Sequence, residues 1–381
     1  MAKIVDVSAT AHSRPFDKSG LVRNALGANI KRDFVLVRVT ADDGTVGFGE
    51  SHHGQNPTAM VEVVKGMGSL AIGADPFDSE GIWARLAFQQ VQTHGLGAGS
   101  VIALSGIDMA LWDLKGKLLG QPVYKLLGGA KKRLRAYAGG LALGFQPVDT
   151  LEKEVAALMA QGYTAIKLRV GDHPRRDAMR VAHIRKTFGD DLDIAVDAQT
   201  RYTPLDIPEV LDYCDKYRVY WLEEPFATDN IRAYVETQAK TRIPLAAGEN
   251  HYTRKAFREL FNHGAIAIAQ ADCTKAGGIS EVKKIADMSV AYDLWMAPHT
   301  SHSIISAAAN THLLCALSNG LIYEADVAKV NPFRTDLSKV PFGVVDGHIE
   351  PNDLPGLGLD IDEAVLAAHP AIPGPCYIPG A

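Results

Sequence analysis

Three short apolar runs, IAVDAQ, YWLEEP and PLAAGE, each close on a carboxylate, and those carboxylates, Asp197, Glu223 and Glu249, stand 26 residues apart. That interval is about one strand–helix–strand unit, and a short apolar run bounded by polar or Gly/Pro residues reads as a buried parallel strand. Three successive parallel strands ending in acids put three oxygen donors on one rim of a barrel, the rim where such folds carry their chemistry. One acid after a strand is explained by capping of the next helix; three in register are not. With no Cys or His among them, the trio suits a single Mg²⁺, a hard cation that takes oxygen ligands and leaves positions for substrate.

The same rhythm extends in both directions. LRAYAGG, AIKLRV, DIAVDA, YWLEEP, PLAAGE, IAIAQADC, LWMAPH and LIYEAD recur every 23 to 31 residues from about Leu134, with helix-length amphipathic segments between most of them. Residues 151–161 (LEKEVAALMAQ) are one such segment, ended by Gly162 in the manner of a C-cap. Eight strands at this spacing predict an α/β chain with a parallel barrel. Residues 1–125 read differently: a strand over Lys3–Thr10, a hairpin of Phe34–Thr40 and Thr45–Glu50 around ADDG, then helices near 57–72, 79–90 and 100–117. Strands followed by helices indicate a small α+β unit. Two stretches without periodicity, 12–31 and 51–57, are expected to be lids over a site. The Pro/Gly-rich chain after about Val330 has no barrel period and is expected to return to the N-terminal unit. The division is 1–125, 126–335 and 336–381.

Composition excludes several classes. A net charge of −5 over 381 residues, with 47% hydrophobic and 22% charged residues, gives no reason to expect nucleic acid or a membrane as partner. Cys214, Cys273, Cys315 and Cys376 lie far apart without metal spacing and read as free thiols in a reducing compartment. The start MAKIVDVSAT lacks a signal pattern and no apolar run approaches 18 residues, so a cytoplasmic location is expected. GLGAGS (95–100) opens no βαβ unit and gets no dinucleotide reading.

Other strand ends complete a constellation. The second barrel strand ends in Lys167 and Arg169, which a period of two points to one face. The sixth ends at Asp272, the seventh at His299 and the eighth at Glu324. A divalent cation on three carboxylates can bind a substrate carboxylate and stabilise the dianion left when its α-proton departs. The base must lie beside that proton, and a Lys next to a permanent Arg charge is expected to favour its neutral form. His299, oriented by Asp272, can take or deliver a proton. Glu324, if protonated, can hydrogen-bond the enediolate.

The set VDA…LEEP…AGE, the KxR pair and the Asp…His dyad resembles the enolase superfamily and, within it, the mandelate racemase subgroup. The likeness takes in SGIDMALWDLKGKLLGQPVYKLLGG (105–129) and GLGL (356–359) as well, so it spans nearly the whole chain. It implies an α+β cap over a (β/α)₇β barrel, two N-terminal loops that close on substrate, and an even-numbered homo-oligomer. It also implies Asp197, Glu223 and Glu249 as metal ligands, Lys167 as base, Asp272–His299 as the dyad and Glu324 as a partner of the substrate carboxylate. Muconate-lactonising relatives carry a Lys five residues before the GG of the sixth-strand loop, where this chain has Asp272; Lys275 is out of that register and is not counted as a base. The chain departs from the pattern at Arg169, where a second Lys is usual, at Gln199 in place of Asn, and in QAD for QPD.

The lid stretches carry Arg23, Asn24, Asn29, Lys31, His52, His53 and Gln55. Such polar side chains suit a polyhydroxy acid, because a site built to hydrogen-bond hydroxyls rejects analogues without them. The expected reaction is dehydration of a sugar acid to a 2-keto-3-deoxy acid. Racemisation or epimerisation, and lactone cycloisomerisation, share its first step. A catalytically silent binding barrel is the alternative of another class.

Overall fold

The computed structural model describes residues 2–17 and 21–379. Its N-terminal part is an antiparallel sheet of β1 (Ile4–Pro15), β4 (Lys31–Ala41) and β5 (Val46–Ser51), ordered β1-β4-β5 and covered by α1 (Pro57–Gly68), α2 (Ser79–Gln90) and α3 (Ala98–Leu119). β4 is buried along almost its whole length, since one face meets these helices and the other meets the barrel. Gly47 and Gly49 let α3 lie against β5 at backbone distance; a β-carbon there would overlap the carbonyls of Ala110 and Gly106.

The stretch read as an aperiodic lid is partly ordered as sheet. β1 continues to Pro15, and β2 (Val22–Asn24) pairs with β3 (Gly27–Asn29), against which β15 (Tyr377–Ile378) adds a third strand. Positions 18–20 lie outside the described residues. Pairing with a strand some 350 residues away leaves no local period, so sequence alone could not show it.

The barrel strands are β6 (Leu134–Gly139), β7 (Ala165–Arg169), β8 (Asp193–Asp197), β9 (Leu222–Glu223), β10 (Leu245–Ala247), β11 (Ile268–Ala269), β12 (Trp295–Met296) and β13 (Tyr323–Asp326). All pair in parallel in that order, β13 pairs with β6, and a bridge from Met296 to Gly320 closes the ring. The short α4 (Val123–Leu126) precedes the barrel, and β14 (His348–Ile349) follows it and pairs antiparallel with β6. Between the barrel strands run α5 (Val148–Met159), α6 (Pro174–Phe188), α7 (Ile207–Lys216), α8 (Ile231–Gln238), α9 (Thr253–Asn262), α10 (Gly278–Val290) and α11 (Ile304–Cys315), which gives the (β/α)₇β order. Alternation along each strand sorts the side chains: on β7, Ile166 and Leu168 join the outer core, while Ala165 joins Tyr137, Ala195, Trp221, Ala246, Ile268, Ala297 and Ile322 in the barrel's inner layer. Tyr137 and Trp221 fill that layer edge to face (5.1 Å, 79°) and form a floor. No helix among the described residues is long and apolar enough to cross a membrane, and all four cysteines are free and buried.

Two buried carboxyls fasten the cap to the barrel. Glu50, at the end of β5, accepts from Ser303 N, Ser303 Oγ and Ser306 N at the start of α11. Asp108 on α3 accepts from Ser280 N (2.9 Å) and Ser280 Oγ (2.6 Å) at the start of α10. Burial pushes the Asp108 carboxyl up to about 7 against those hydrogen bonds. The folded state thus holds a proton that the unfolded state releases near pH 4, and stability falls as pH rises through the window from about 4 to about 7. Asp108→Asn can keep both bonds, with its amide oxygen accepting from Ser280 N and its NH₂ donating to Ser280 Oγ. The variant is expected to be more stable than wild type by roughly 1–3 kcal/mol at pH 8 and no more stable at pH 4, as read by denaturant unfolding at the two pH values.

Candidate active site

A cavity of about 280 Å³ lies at the C-terminal mouth of the barrel; its lining includes Arg169, Glu249, His299 and, from the cap, His52, His53 and Gln55, while Asp197, Glu223, Asp272 and Glu324 lie behind that lining. Strand register sets the depth of each group. Arg169 pairs with Asp197 and Asp197 with Glu223, so these three share a level, while Lys167 pairs with Ala195 two residues lower, about 6.6 Å down the strand. Lys167 accordingly does not line the cavity; its ammonium lies over the Tyr137 ring (5.6 Å) with no exposed side-chain area. It donates to Glu223 Oε1 (2.6 Å) and pairs with Glu324 Oε1 (2.9 Å) and Asp197 Oδ2 (3.5 Å).

These partners reverse one expectation. Burial opposes the Lys167 ammonium, but Glu223 and Glu324 outweigh it and hold its pKa well above the usual lysine value. Arg169 does not tune Lys167 towards neutrality, because its own charge is spent on Asp197 and on the Gly140 carbonyl. Glu324 is corrected in the same way. Burial would raise it, yet Lys167, His299 and Arg169 hold it down to about 2, so it is a carboxylate and not a proton donor.

Across the mouth, His299 Nδ1 binds Asp272 Oδ2 (2.7 Å) and Nε2 meets Glu249 Oε2 (2.8 Å). Asp272 also accepts from Ser301 Oγ, Thr274 N and Thr274 Oγ1, which fixes both of its oxygens. An acid so fully engaged orients the imidazole and leaves proton transfer to Nε2. Burial disfavours the imidazolium, but Glu249, Glu324 and Asp272 raise its pKa well above the normal histidine value.

The acidic trio fits a hard divalent cation in its chemistry. Glu223 also accepts from Trp221 Nε1 (3.1 Å) and Gln270 Nε2 (2.7 Å), and Asp197 Oδ1 from Gln199 N (2.9 Å). Burial pushes Glu223 up to about 7 even with Lys167 beside it, and pushes the neighbouring Glu224 to about 8 with Glu249 adding to the effect. Burial is the first cause of both shifts, and repulsion from Asp197, Glu324 and Glu249 adds to it at Glu223, which a cation among these acids would relieve. The trio's oxygens are drawn apart, each to a cation of the chain: Asp197 to Arg169, Glu223 to Lys167, Glu249 to His299. Among the described residues, the donor sets already within 4.8 Å are His52–His53–His302 and Asp33–His53–Cys376.

The lid residues divide. His52, His53 and Gln55 line the cavity. Arg23 is exposed and borders a separate cleft, Asn24 is buried and turns to Leu26 N, Asn29 sits in β3, and Lys31 is buried against Asp33 (2.8 Å). Sequence reasoning missed Arg32, Asn250, His302 and Tyr377, which all line the cavity, and it set Lys275 aside. None belongs to a strand-end motif, so spacing carried no signal for them.

Comparison with known proteins accounts for this arrangement. The mandelate racemase/muconate lactonizing enzyme N-terminal domain matches residues 5–128, and the enolase C-terminal domain-like family matches residues 150–365. The chain belongs to the enolase superfamily, in its mandelate racemase subgroup. This superfamily member is 33% identical to a D-galactarolactone cycloisomerase of Agrobacterium fabrum over 88% of its own length and 91% of the relative's. It is 33% identical to a D-galactonate dehydratase of Ralstonia nicotianae over 87% and 90%. A solved enolase-superfamily member from Polaromonas sp. JS666 superposes with a TM-score of 0.95 at 42% identity, covering 99% of this chain and 100% of that one. A racemase from Streptomyces coelicolor A3(2), solved with bound magnesium, gives 0.87 at 26% identity over 96% and 99%.

Proposed function

We propose that the protein removes the proton α to the carboxylate of a sugar acid and eliminates the β-hydroxyl, forming a 2-keto-3-deoxy acid. The observation that carries this reading is the placement of Lys167 and the His299–Asp272 pair on different sides of one carboxylate cluster, with Lys167 buried beneath a polar cavity that His299 and Glu249 line. Relatives named as sugar-acid dehydratases support it. Asp197, Glu223 and Glu249 are the residues that would hold Mg²⁺, which when bound supplies positive charge to a substrate carboxylate and to the enediolate derived from it.

The chain's own part follows from its charges. Lys167 takes the proton as the α C–H bond breaks, and His299 Nε2 gives a proton to the β-oxygen as the C–O bond breaks. Water leaves, and the enol tautomerises to the keto acid. In the charge state described here both Lys167 and His299 keep their protons, so Lys167 must first be relieved of carboxylate charge. Two of the carboxylates that restrain it, Asp197 and Glu223, belong to the trio assigned to the cation. Arg169, at the level of Asp197 and lining the cavity, keeps a permanent charge and cannot act as a base.

Proton NMR in D₂O with Mg²⁺, across sugar acids, diacids and their lactones, tests the reading. New 2-keto-3-deoxy signals are expected from at least one acid. Deuterium at the α-carbon of an otherwise unchanged or inverted acid would replace dehydration with racemisation or epimerisation. The likeness to a galactarolactone cycloisomerase is the reason lactones belong in the set, since ring isomerisation shares the first proton transfer.

A further inference from the structure

Most cations around the cavity are already matched to carboxylates. Arg32 pairs with Asp326 (2.9 Å), Arg169 with Asp197, and His299 with Asp272 and Glu249. Lys275 is different. It is 5% exposed and lines the cavity, and the one hydrogen-bond partner of its ammonium among the described residues is the neutral Asn250 Oδ1 (3.1 Å). No carboxylate oxygen among those residues lies within 4.0 Å of it, so two of its three N–H donors are unspent. Burial opposes that ammonium, while the fields of Glu249, Asp272 and Glu224 hold it charged without filling its donors, so two N–H groups remain for an anion in the cavity.

The neighbouring wall is built to meet the same anion. His52 N donates to Thr274 O (3.3 Å), which holds the cap segment against the turn that carries Lys275. His52 and His53 stack at 4.3 Å and 27°, and both line the cavity. His52 Nδ1 accepts from Gly54 N (3.1 Å) and His53 Nδ1 from Gln55 N (3.0 Å). A neutral ring that accepts at Nδ1 carries its proton on Nε2, and neither Nε2 has a protein partner among the described residues. Burial, with Lys275 among the charges that add to it, keeps both rings neutral, His53 down to about 4. The backbone bonds also argue against the His52–His53–His302 set as a metal site, because ligation through a protonated Nε2 would require losing that proton.

We infer that Lys275, with the Nε2–H groups of His52 and His53, binds a second carboxylate at the far end of the substrate, so that the preferred substrates are sugar diacids. This rests on the reading that the acidic trio receives the reacting carboxylate. The far end would otherwise be a hydroxymethyl group, which brings no anion to those two donors.

Galactarate and galactonate differ in that one end is a carboxylate in the first and CH₂OH in the second. Titration calorimetry with Mg²⁺ is expected to show the wild type binding galactarate at least about tenfold more tightly, the worth of one charged hydrogen bond. Lys275→Met should erase that ratio by weakening galactarate alone, and Lys275→Arg should keep it. His52→Phe, which retains the stacked ring without the donor, should narrow the ratio severalfold and serves if the Met variant fails to fold. Equal binding of both acids by wild type, or an equal loss for both in Lys275→Met, would overturn the inference and leave Lys275 a counter-ion for Glu249. Deuterium exchange at the α-carbons, measured alongside, separates the two readings: a galactarate preference without exchange supports the diacid site and removes the proton-transfer chemistry.

Discussion

Lys167→Met is expected to lower turnover by about 10²–10⁴-fold and to abolish exchange of the substrate α-proton with D₂O. His299→Asn should lower turnover comparably yet leave α-proton exchange in place, because only delivery of a proton to the departing hydroxyl is lost. The contrast follows from position: Lys167 reaches the cluster from β7 beneath Asp197 and Glu223, and His299 reaches it from the loop after β12 beside Glu249. Proton NMR of each variant in D₂O reads exchange and product in one experiment. If His299→Asn stops exchange while Lys167→Met retains it, the roles of the two residues are reversed.

The same lysine should dominate the stability of the metal-free protein. Its ammonium bridges Glu223 and Glu324 and touches Asp197 inside the barrel, where none of the four groups has more than 3% of its side chain exposed. Removing one partner of a buried ion cluster leaves uncompensated charge, at a cost of about 3–5 kcal/mol. Without divalent cation, Lys167→Met should therefore melt well below wild type. Mg²⁺ should restore most of the difference, since it supplies the missing charge to two of the same carboxylates. Wild type should gain less, about 2.7 kcal/mol at a hundredfold excess of Mg²⁺ over its Kd. Thermal melts of both proteins with Mg²⁺ and with EDTA check this; a Lys167→Met variant that is equally unstable in both buffers would remove the trio as a cation site.

Much of this molecule was legible in the residues, for local reasons. The interval between Asp197, Glu223 and Glu249 is the length of a strand–helix–strand unit, and a period of two brings Lys167 and Arg169 to one face. Asp272 and His299 do meet, at 2.7 Å, as positions that follow the ends of two neighbouring strands, β11 and β12. The sequence by itself determined the barrel and its cap, because strand period and helix length are properties of neighbouring residues.

Depth and partnership are not local properties, and only the tertiary structure decided them. Register with Ala195 puts Lys167 a layer below Arg169, so a residue read as a neutral base beside an arginine is an ammonium among carboxylates. Closure of the barrel brings Glu324 to Lys167 and makes it a carboxylate, although nothing within its own strand sets its charge. The pairing of β15 with β3 carries Tyr377 to the cavity from the opposite end of the chain. Lys275 was out of register as a base, yet the fold leaves it a cavity cation with no carboxylate oxygen within 4.0 Å among the described residues. An ionisable group takes its charge and role from whatever lies within a few ångströms in the low-dielectric interior, and those neighbours come from strands that only folding brings together.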